Sequence, residues 1–395
     1  MIFVRKWLKN IKAIRFFDNN SIAVLLISTL LLSTALPNIL LIPFILSIVF
    51  HKKDISFIKS PFFIFFAAAV TVIILSAISQ GTIISDFNKL SKHFLVLVLF
   101  ILFYQVSKIK QAENAFLLGS SITLLITCLI ILFEYFDNPD FSLANGELVN
   151  ELLILERPYL GFAFALATFI ALKKAAIKPK YYLLAICFTA FNIYVSARLA
   201  IILCMLLFFI YAIKNSPFGF KKSLGIGLVL VIILGFFLSL SDNFMKRIHL
   251  DKDYDKLMIR VKAYEPRFII WPCTYNIIEE NILWGTPSFD ITENKLKNCY
   301  ANEIEQDDKR NYYINEGFNT HNQFLDYLML GGIFSVIFLI LSFLIPLLLK
   351  NISFEMKIIL IMFLAFFIVE NVIHRQLGRY FFAIFAALYS KPRNE

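Results

Sequence analysis

Residues 324–349 read FLDYLMLGGIFSVIFLILSFLIPLLL, a stretch whose one charged side chain, Asp326, lies near its start. A bilayer's hydrocarbon core takes roughly 20 apolar residues of helix, so this run is long enough to cross one. Nearly all of its side chains are apolar, and in lipid only a helix or a closed barrel satisfies its own backbone groups. The same kind of run recurs on both sides of it. Apolar segments near 21–36, 39–50, 61–79, 93–106, 115–136, 158–172, 181–197, 199–213 and 223–240 come before it, and 356–373 and 376–389 follow. The expected fold is an all-α polytopic membrane protein with about 12 transmembrane helices and one large loop between helices 9 and 10. The breaks at Pro37 and Arg198 also admit a count of eleven.

Composition agrees. Of 395 residues, 59% are hydrophobic and 17% charged, with mean hydropathy +0.74. Soluble domains are about half apolar and a quarter charged, so an ordinary water-soluble enzyme is excluded. The formal charge of +10 would suit nucleic acid if the basic residues were clustered. Here they punctuate apolar segments, so they read as topology signals and no nucleic-acid partner is expected. Residues 1–20 carry Arg5, Lys6, Lys9, Lys12 and Arg15, which places the N-terminus in the cytoplasm. Alternating from there, the inside segments hold 21 of the 38 Lys and Arg, the short outside segments about 6, and the large loop the other 11. Both termini are expected inside, with the first helix retained rather than cleaved as a signal peptide.

The expected organisation is a bundle of about nine helices over 1–240, a polar outer loop over 241–323, and about three helices over 324–395. The loop has 11 basic and 14 acidic residues. Patches such as Phe268-Ile269-Ile270-Trp271 and Ile277-Ile278 suggest short amphipathic helices against the membrane surface. Loops this long in a compact protein are usually functional. The five cysteines form no CxxC pair. Cys128, Cys187 and Cys204 lie in apolar runs, whereas Cys273 and Cys299 share the loop, with a spacing that neither supports nor excludes a disulfide.

Ionisable groups at membrane depth are expensive and need a reason. Arg198, between two apolar runs, is either a snorkelling residue in a tight turn or an anion-binding fork facing the bundle interior. Arg157 follows Glu156, a ready interfacial partner, and Arg267 stands four residues before Trp271, on whose ring it could stack. His321 lies in Thr320-His321-Asn322-Gln323-Phe324, where the loop re-enters the membrane before Gly331-Gly332. Imidazole is the side chain suited to general-base work near neutral pH. Capping or interfacial duty is the alternative for it. Asp326 could orient this region or balance the arginines. Glu370, His374, Arg375 and Arg379 have i,i+4 spacings that read as an ion-pair cluster if the helix continues. His51, His93 and His249 carry no signal. HExxH, P-loop, GxSxG and DxD sequences are absent.

Four segments together resemble the O-antigen ligase and polymerase superfamily of bacterial membrane glycan transferases. They are Arg157 with Gly161; Ser196-Ala197-Arg198; Arg267 to Trp271 with Asn281 to Gly285; and His321 to Leu325 with Gly331-Gly332. The tail from Glu370 to Gly378 looks like the family's last outer turn. The resemblance implies an inner-membrane enzyme with a periplasmic site. Such an enzyme takes a glycan from undecaprenyl diphosphate and places it on a hydroxyl of lipid A–core, or on another repeat unit in a polymerase. By motif, Arg198 and Arg267, with Arg157, would grip the diphosphate and His321 would activate the acceptor hydroxyl. Asn322, Asp326, Trp271 and Arg375 would support them, and neither metal nor cofactor is expected. The residue after Arg198 departs from the family pattern, being Leu199 where a small residue is common, and Gly285 is followed by Thr286-Pro287.

The chemistry agrees with the resemblance. A diphosphate-linked sugar brings its own leaving group, so the protein needs cations for the departing charge and a positioned base. A lipid-linked glycan flippase is the rival from another class. Transporters usually show two related halves with midplane sites, whereas the polar residues here crowd into one loop.

Overall fold

The computed structural model describes residues 18–49, 53–138, 152–215, 225, 265–286 and 288–391. Among them the regular structure is helical. The α-helices in chain order are α1 (Asn19–Thr29), α2 (Ala35–Val49), α3 (Pro61–Ser79), α4 (Phe87–Tyr104), α5 (Ile109–Asp137), α6 (Arg157–Ala175) and α7 (Lys180–Tyr194). They continue as α8 (Arg198–Asn215), α9 (Arg267–Glu280), α10 (Phe289–Glu303), α11 (Asp307–Glu316), α12 (Gln323–Leu348), α13 (Phe354–Val369) and α14 (Gln376–Tyr389). Five of these, α3, α4, α5, α8 and α12, are long and apolar enough to cross a membrane, and α1 and α2 are shorter apolar helices. The chain is thus an all-helical, multi-pass membrane protein. The expected span at 223–240 and the first part of the loop lie outside the described residues.

One expected boundary is corrected. The break between the first two apolar segments falls at residues 30–34, and Pro37 lies in the first turn of α2. A helix's first turn has no use for the N–H that proline lacks, so Pro37 starts a helix rather than ending one. Pro61 and Pro158 open α3 and α6 in the same way.

Contacts divide the chain into two units, one of residues 1–53 with 105–249 and one of 54–104 with 250–395. In the first, α6 is the central helix: every residue from Tyr159 to Leu172 is buried, among α5, α7 and α8. Its basic end is fixed by Lys173 and Lys174, which both pair with the buried carboxylate Glu113 of α5.

The second unit is built on α3 against α12 and α4 against α14. Phe62, Phe66, Phe343, Phe367 and Phe382 form a continuous aromatic core there, with ring centroids 4.7–6.4 Å apart. The loop helices α9, α10 and α11 have a small core of their own, with Ile270, Ile277, Leu296, Tyr300 and Tyr313 buried. A disulfide between Cys273 and Cys299 ties α9 to α10, so the open question of the loop cysteines is resolved as a bridge. Phe268, Tyr275, Leu283 and Trp284 stay exposed on this segment.

A glycine seam joins the loop to α12. Gly332 has φ +65°, and a Cβ there would lie 2.1 Å from the Leu283 carbonyl oxygen. A Cβ on Gly285 would lie 2.6 Å from the Leu330 carbonyl carbon. Across the seam the Ile333 N–H donates to Ile282 O at 2.9 Å, and the Thr286 N–H to Met329 O at 2.7 Å. The two glycine motifs noted in the sequence are therefore one feature: backbone meets backbone with no room for a side chain.

Candidate active site

In the first unit, Arg157 and Arg198 are the opening residues of α6 and α8. Their helices meet closely, because a Cβ on Gly161 would fall 2.6 Å from Ala197 Cβ. The Asn192 side-chain amide donates to Gly161 O at 3.3 Å. Gly161 lies one turn after Arg157 and Ala197 just before Arg198, so the two arginines share an end of this unit. Ser196 holds φ +54°, a left-handed conformation that a residue with a Cβ adopts at a cost.

In the second unit, Arg267 opens α9 and is partly buried. It does not rest on Trp271 as a solvated cation. Its guanidinium pairs with Glu265, donates to Val369 O at 2.7 Å and stands 3.7 Å from Glu370 Oε1. The other oxygen of Glu370 lies 3.4 Å from His321 Nδ1. One carboxylate thus joins the expected phosphate-binding fork to the expected base. Trp271 donates its indole N–H to Thr320 O at 3.0 Å, which fixes the residue before His321.

His321 itself has φ +45°. Its backbone N–H donates to Asn319 Oδ1 at 3.1 Å, and the Thr320 hydroxyl lies 2.9 Å from both Asn322 O and Asn371 Oδ1. Strain of this kind persists only where the surroundings over-determine it. Asn322 is the cap of α12: its side-chain oxygen accepts from the N–H groups of Phe324 and Leu325 at 2.9 and 3.1 Å.

The segment after α13 departs from the expected i,i+4 cluster. The helix stops at Val369, and Val372–His374 forms a short 3-10 turn. The pairings are long-range instead. His374 Nε2 lies 2.9 Å from Asp326 Oδ2, which also accepts from Gln323 Nε2 at 3.0 Å. Gln323 Oε1 accepts the Ile373 N–H at 2.9 Å. Asp326 therefore holds His374, and the turn is stitched to the start of α12. Arg375 stays exposed at the head of α14.

His93, without signal in the sequence, is buried with its Nδ1 3.1 Å from the Tyr327 hydroxyl. With Asp326 and His374 it makes the one group of potential metal ligands among the described residues, their ligand atoms within 4.8 Å of one another. Hydrogen bonds already occupy these atoms, and Lys92 and Arg379 both lie within electrostatic reach of His93. The fit to a cation is poor. A cavity of about 150 Å³ opens beside this group, lined by Lys89, Lys92, Glu293, Asn319, Asp326 and His374 among others. Bonds from Lys297 and Lys89 hold the Glu293 carboxyl below its ordinary range. Burial pushes the Tyr313 hydroxyl under the loop up to about 12. Sequence reasoning missed Gln323 and Asn371, whose partners lie far away in the chain, and also Glu265, which pairs with Arg267 two residues on, and Lys92, which lines the cavity.

Fold and site define a multi-pass membrane protein with a disulfide-tied polar segment that carries cations, carboxylates and imidazoles. Residues 181–340 match the family model described as O-Antigen ligase, which bears out the resemblance to the O-antigen ligase and polymerase superfamily. The match includes Arg198, Arg267, the glycine seam and His321. No curated protein and no solved structure matches the chain.

Proposed function

We propose that the protein is a glycosyltransferase of the O-antigen ligase type, moving a glycan from undecaprenyl diphosphate to a hydroxyl of lipid A–core. The observation that carries this reading is the chain Arg267–Glu370–His321, a fork and an imidazole bridged by one carboxylate. A carboxylate partner favours the tautomer with hydrogen on Nδ1, which leaves the lone pair of His321 Nε2 for the acceptor. In the proposed step the acceptor oxygen attacks the anomeric carbon as its proton passes to Nε2. The bond from that carbon to the phosphate oxygen breaks, and its electron pair leaves on the diphosphate. Arg267, joined to His321 through Glu370, stabilises that charge; Arg198 and Arg157, of the other unit, keep the anion-binding role that the resemblance implies. No nucleotide or metal enters the step.

The loop disulfide supports a position on an oxidising face, hence the periplasmic side of the inner membrane with both termini cytoplasmic. The glycan polymerase is the sister activity, with the same donor and a repeat unit as acceptor. A lipopolysaccharide gel from a deletion strain, read beside its undecaprenyl-linked pool, tests the assignment. Bare core with long polymer stranded on the carrier is the expected result. Core bearing single repeats, with no long chains anywhere, would make the protein a polymerase. Normal lipopolysaccharide with an unchanged pool would overturn both.

A further inference from the structure

A second cavity, of about 540 Å³, opens in the second unit at the end away from the candidate site. Five helices run between the two. Their ends at the cavity are Pro61 of α3, Tyr104 of α4, Lys350 just past α12, Phe354 of α13 and Tyr389 of α14. Near their other ends stand Ser76, Lys92, Asp326, Glu370 and His374, the last two just outside α13 and α14. The 19 residues of α3 span about 28 Å at the rise of an α-helix, close to the roughly 30 Å of a bilayer core. Cavity and site thus belong to opposite faces of the membrane, the cavity to the cytoplasmic one in the proposed orientation.

The wall of this cavity is basic. Lys59, Lys350 and Lys391 line it against one carboxylate, Glu355, which is buried in the first turn of α13. Asp54, two residues before Ser56 of the wall, accepts from the Ser56 N–H and hydroxyl at 2.9 and 2.6 Å. Lys391 lies over the Tyr104 ring, 5.1 Å from its centroid. Lys59 and Lys350 are exposed, without an ion-pair partner among the described residues. Two helices, α3 and α13, begin at this wall, and the positive ends of their dipoles favour an anion. The Ser353 hydroxyl caps α13 by accepting from the Met356 N–H, but Ser60 makes no such bond to α3. Only 9% of Ser60 is exposed, yet it lines the cavity and its hydroxyl has no hydrogen bond among the described residues. A buried hydroxyl without a partner is costly, and an anionic oxygen in the cavity would satisfy it. Apolar side chains also stand open here, with Ile58, Leu348 and Phe354 exposed. A free ion has no use for them, whereas the acyl chains of a lipid do.

We propose that this cavity binds the phosphate headgroup of an anionic phospholipid, with Lys59, Lys350 and Lys391 as its cations and Ser60 as a hydroxyl donor. Basic pockets between membrane helices on the cytoplasmic side suit such headgroups. The proposed orientation enters only in naming the leaflet, and the binding itself depends neither on it nor on the transferase reading.

The test titrates the full-length protein, in neutral detergent at low salt, with phosphatidylglycerol or phosphatidylcholine of the same acyl chains. Bound lipid is read by native mass spectrometry, beside the thermal midpoint. Phosphatidylglycerol should bind the wild type more tightly and raise its midpoint further. Lys59→Gln and Lys350→Gln should each weaken that binding about fivefold, and together about thirtyfold. Their lipid-free midpoints should match the wild type, because both side chains are exposed. Lys178→Gln, which removes an exposed lysine of the first unit, should leave the binding unchanged. High salt should abolish the wild type's preference for phosphatidylglycerol, a reading that decides the matter even if a variant is unstable. Equal binding of the two lipids, or cavity variants that bind as the wild type does, would overturn the site. A wild type stabilised by inorganic phosphate and by neither lipid would make the ligand a soluble phosphate and overturn the lipid assignment.

Discussion

Arg198 opens its helix two residues after Ser196, whose backbone is held in the left-handed region. A turn built at such a cost aims one particular side chain. Arg198→Lys keeps the charge and loses the fork. We expect transfer to fall roughly thirtyfold, about 2 kcal/mol of charge-assisted bonding, with normal membrane insertion. Wild-type activity in a membrane-vesicle assay would remove Arg198 from the diphosphate clamp. His321→Ala removes the proposed proton acceptor and leaves the arginines in place. It should still bind the lipid-linked donor while transfer drops by roughly 10²–10⁴-fold. Loss of donor binding in a pull-down would make His321 a binding residue instead.

Helix ends are where the physics of individual elements is most visible. Gly332→Ala places a Cβ at 2.1 Å from Leu283 O on a residue with φ +65°. Both backbone and contact must give way, so we expect a loss of about 2–4 kcal/mol or more, read as a lower thermal midpoint. A variant as stable as wild type would mean that the loop turn and α12 are not locked together. Most helices were legible from apolar runs, because hydropathy reports burial in lipid or core alike. The break before Pro37 was not, since proline both opens and closes helices. Of the site, Arg267 and His321 were legible from their surroundings, Arg267 four residues before Trp271 in an apolar patch and His321 where the polar loop runs into the apolar stretch from Phe324. Their partners were not. Glu370 and His374 looked like i,i+4 neighbours of each other on a continuing helix until the 3-10 turn sent them to His321 and Asp326. Lys92 and His93 were hidden at the head of a membrane-length helix, where a basic residue reads as topology.

At the scale of the whole molecule, the bridge between Cys273 and Cys299 makes the proposed periplasmic position of the loop directly testable. In intact spheroplasts, a membrane-impermeant maleimide should label both cysteines after mild reduction and neither before it. Labelling only after lysis would turn the topology inside out. The double Ser variant should lose roughly 2–4 kcal/mol of stability. The glycine seam has a further consequence, for biogenesis. Residues 281–285 leave the ribosome well before Gly331 and Gly332, yet the Ile282 carbonyl and the Thr286 N–H find their partners only on α12. Those two bonds therefore wait until the following helix has been delivered to the membrane, and the Ser76 hydroxyl on Trp284 O is the turn's earlier tie. A nascent chain stalled before Ile333 should be open to protease at that turn, and one long enough to carry α12 into the membrane should be closed there.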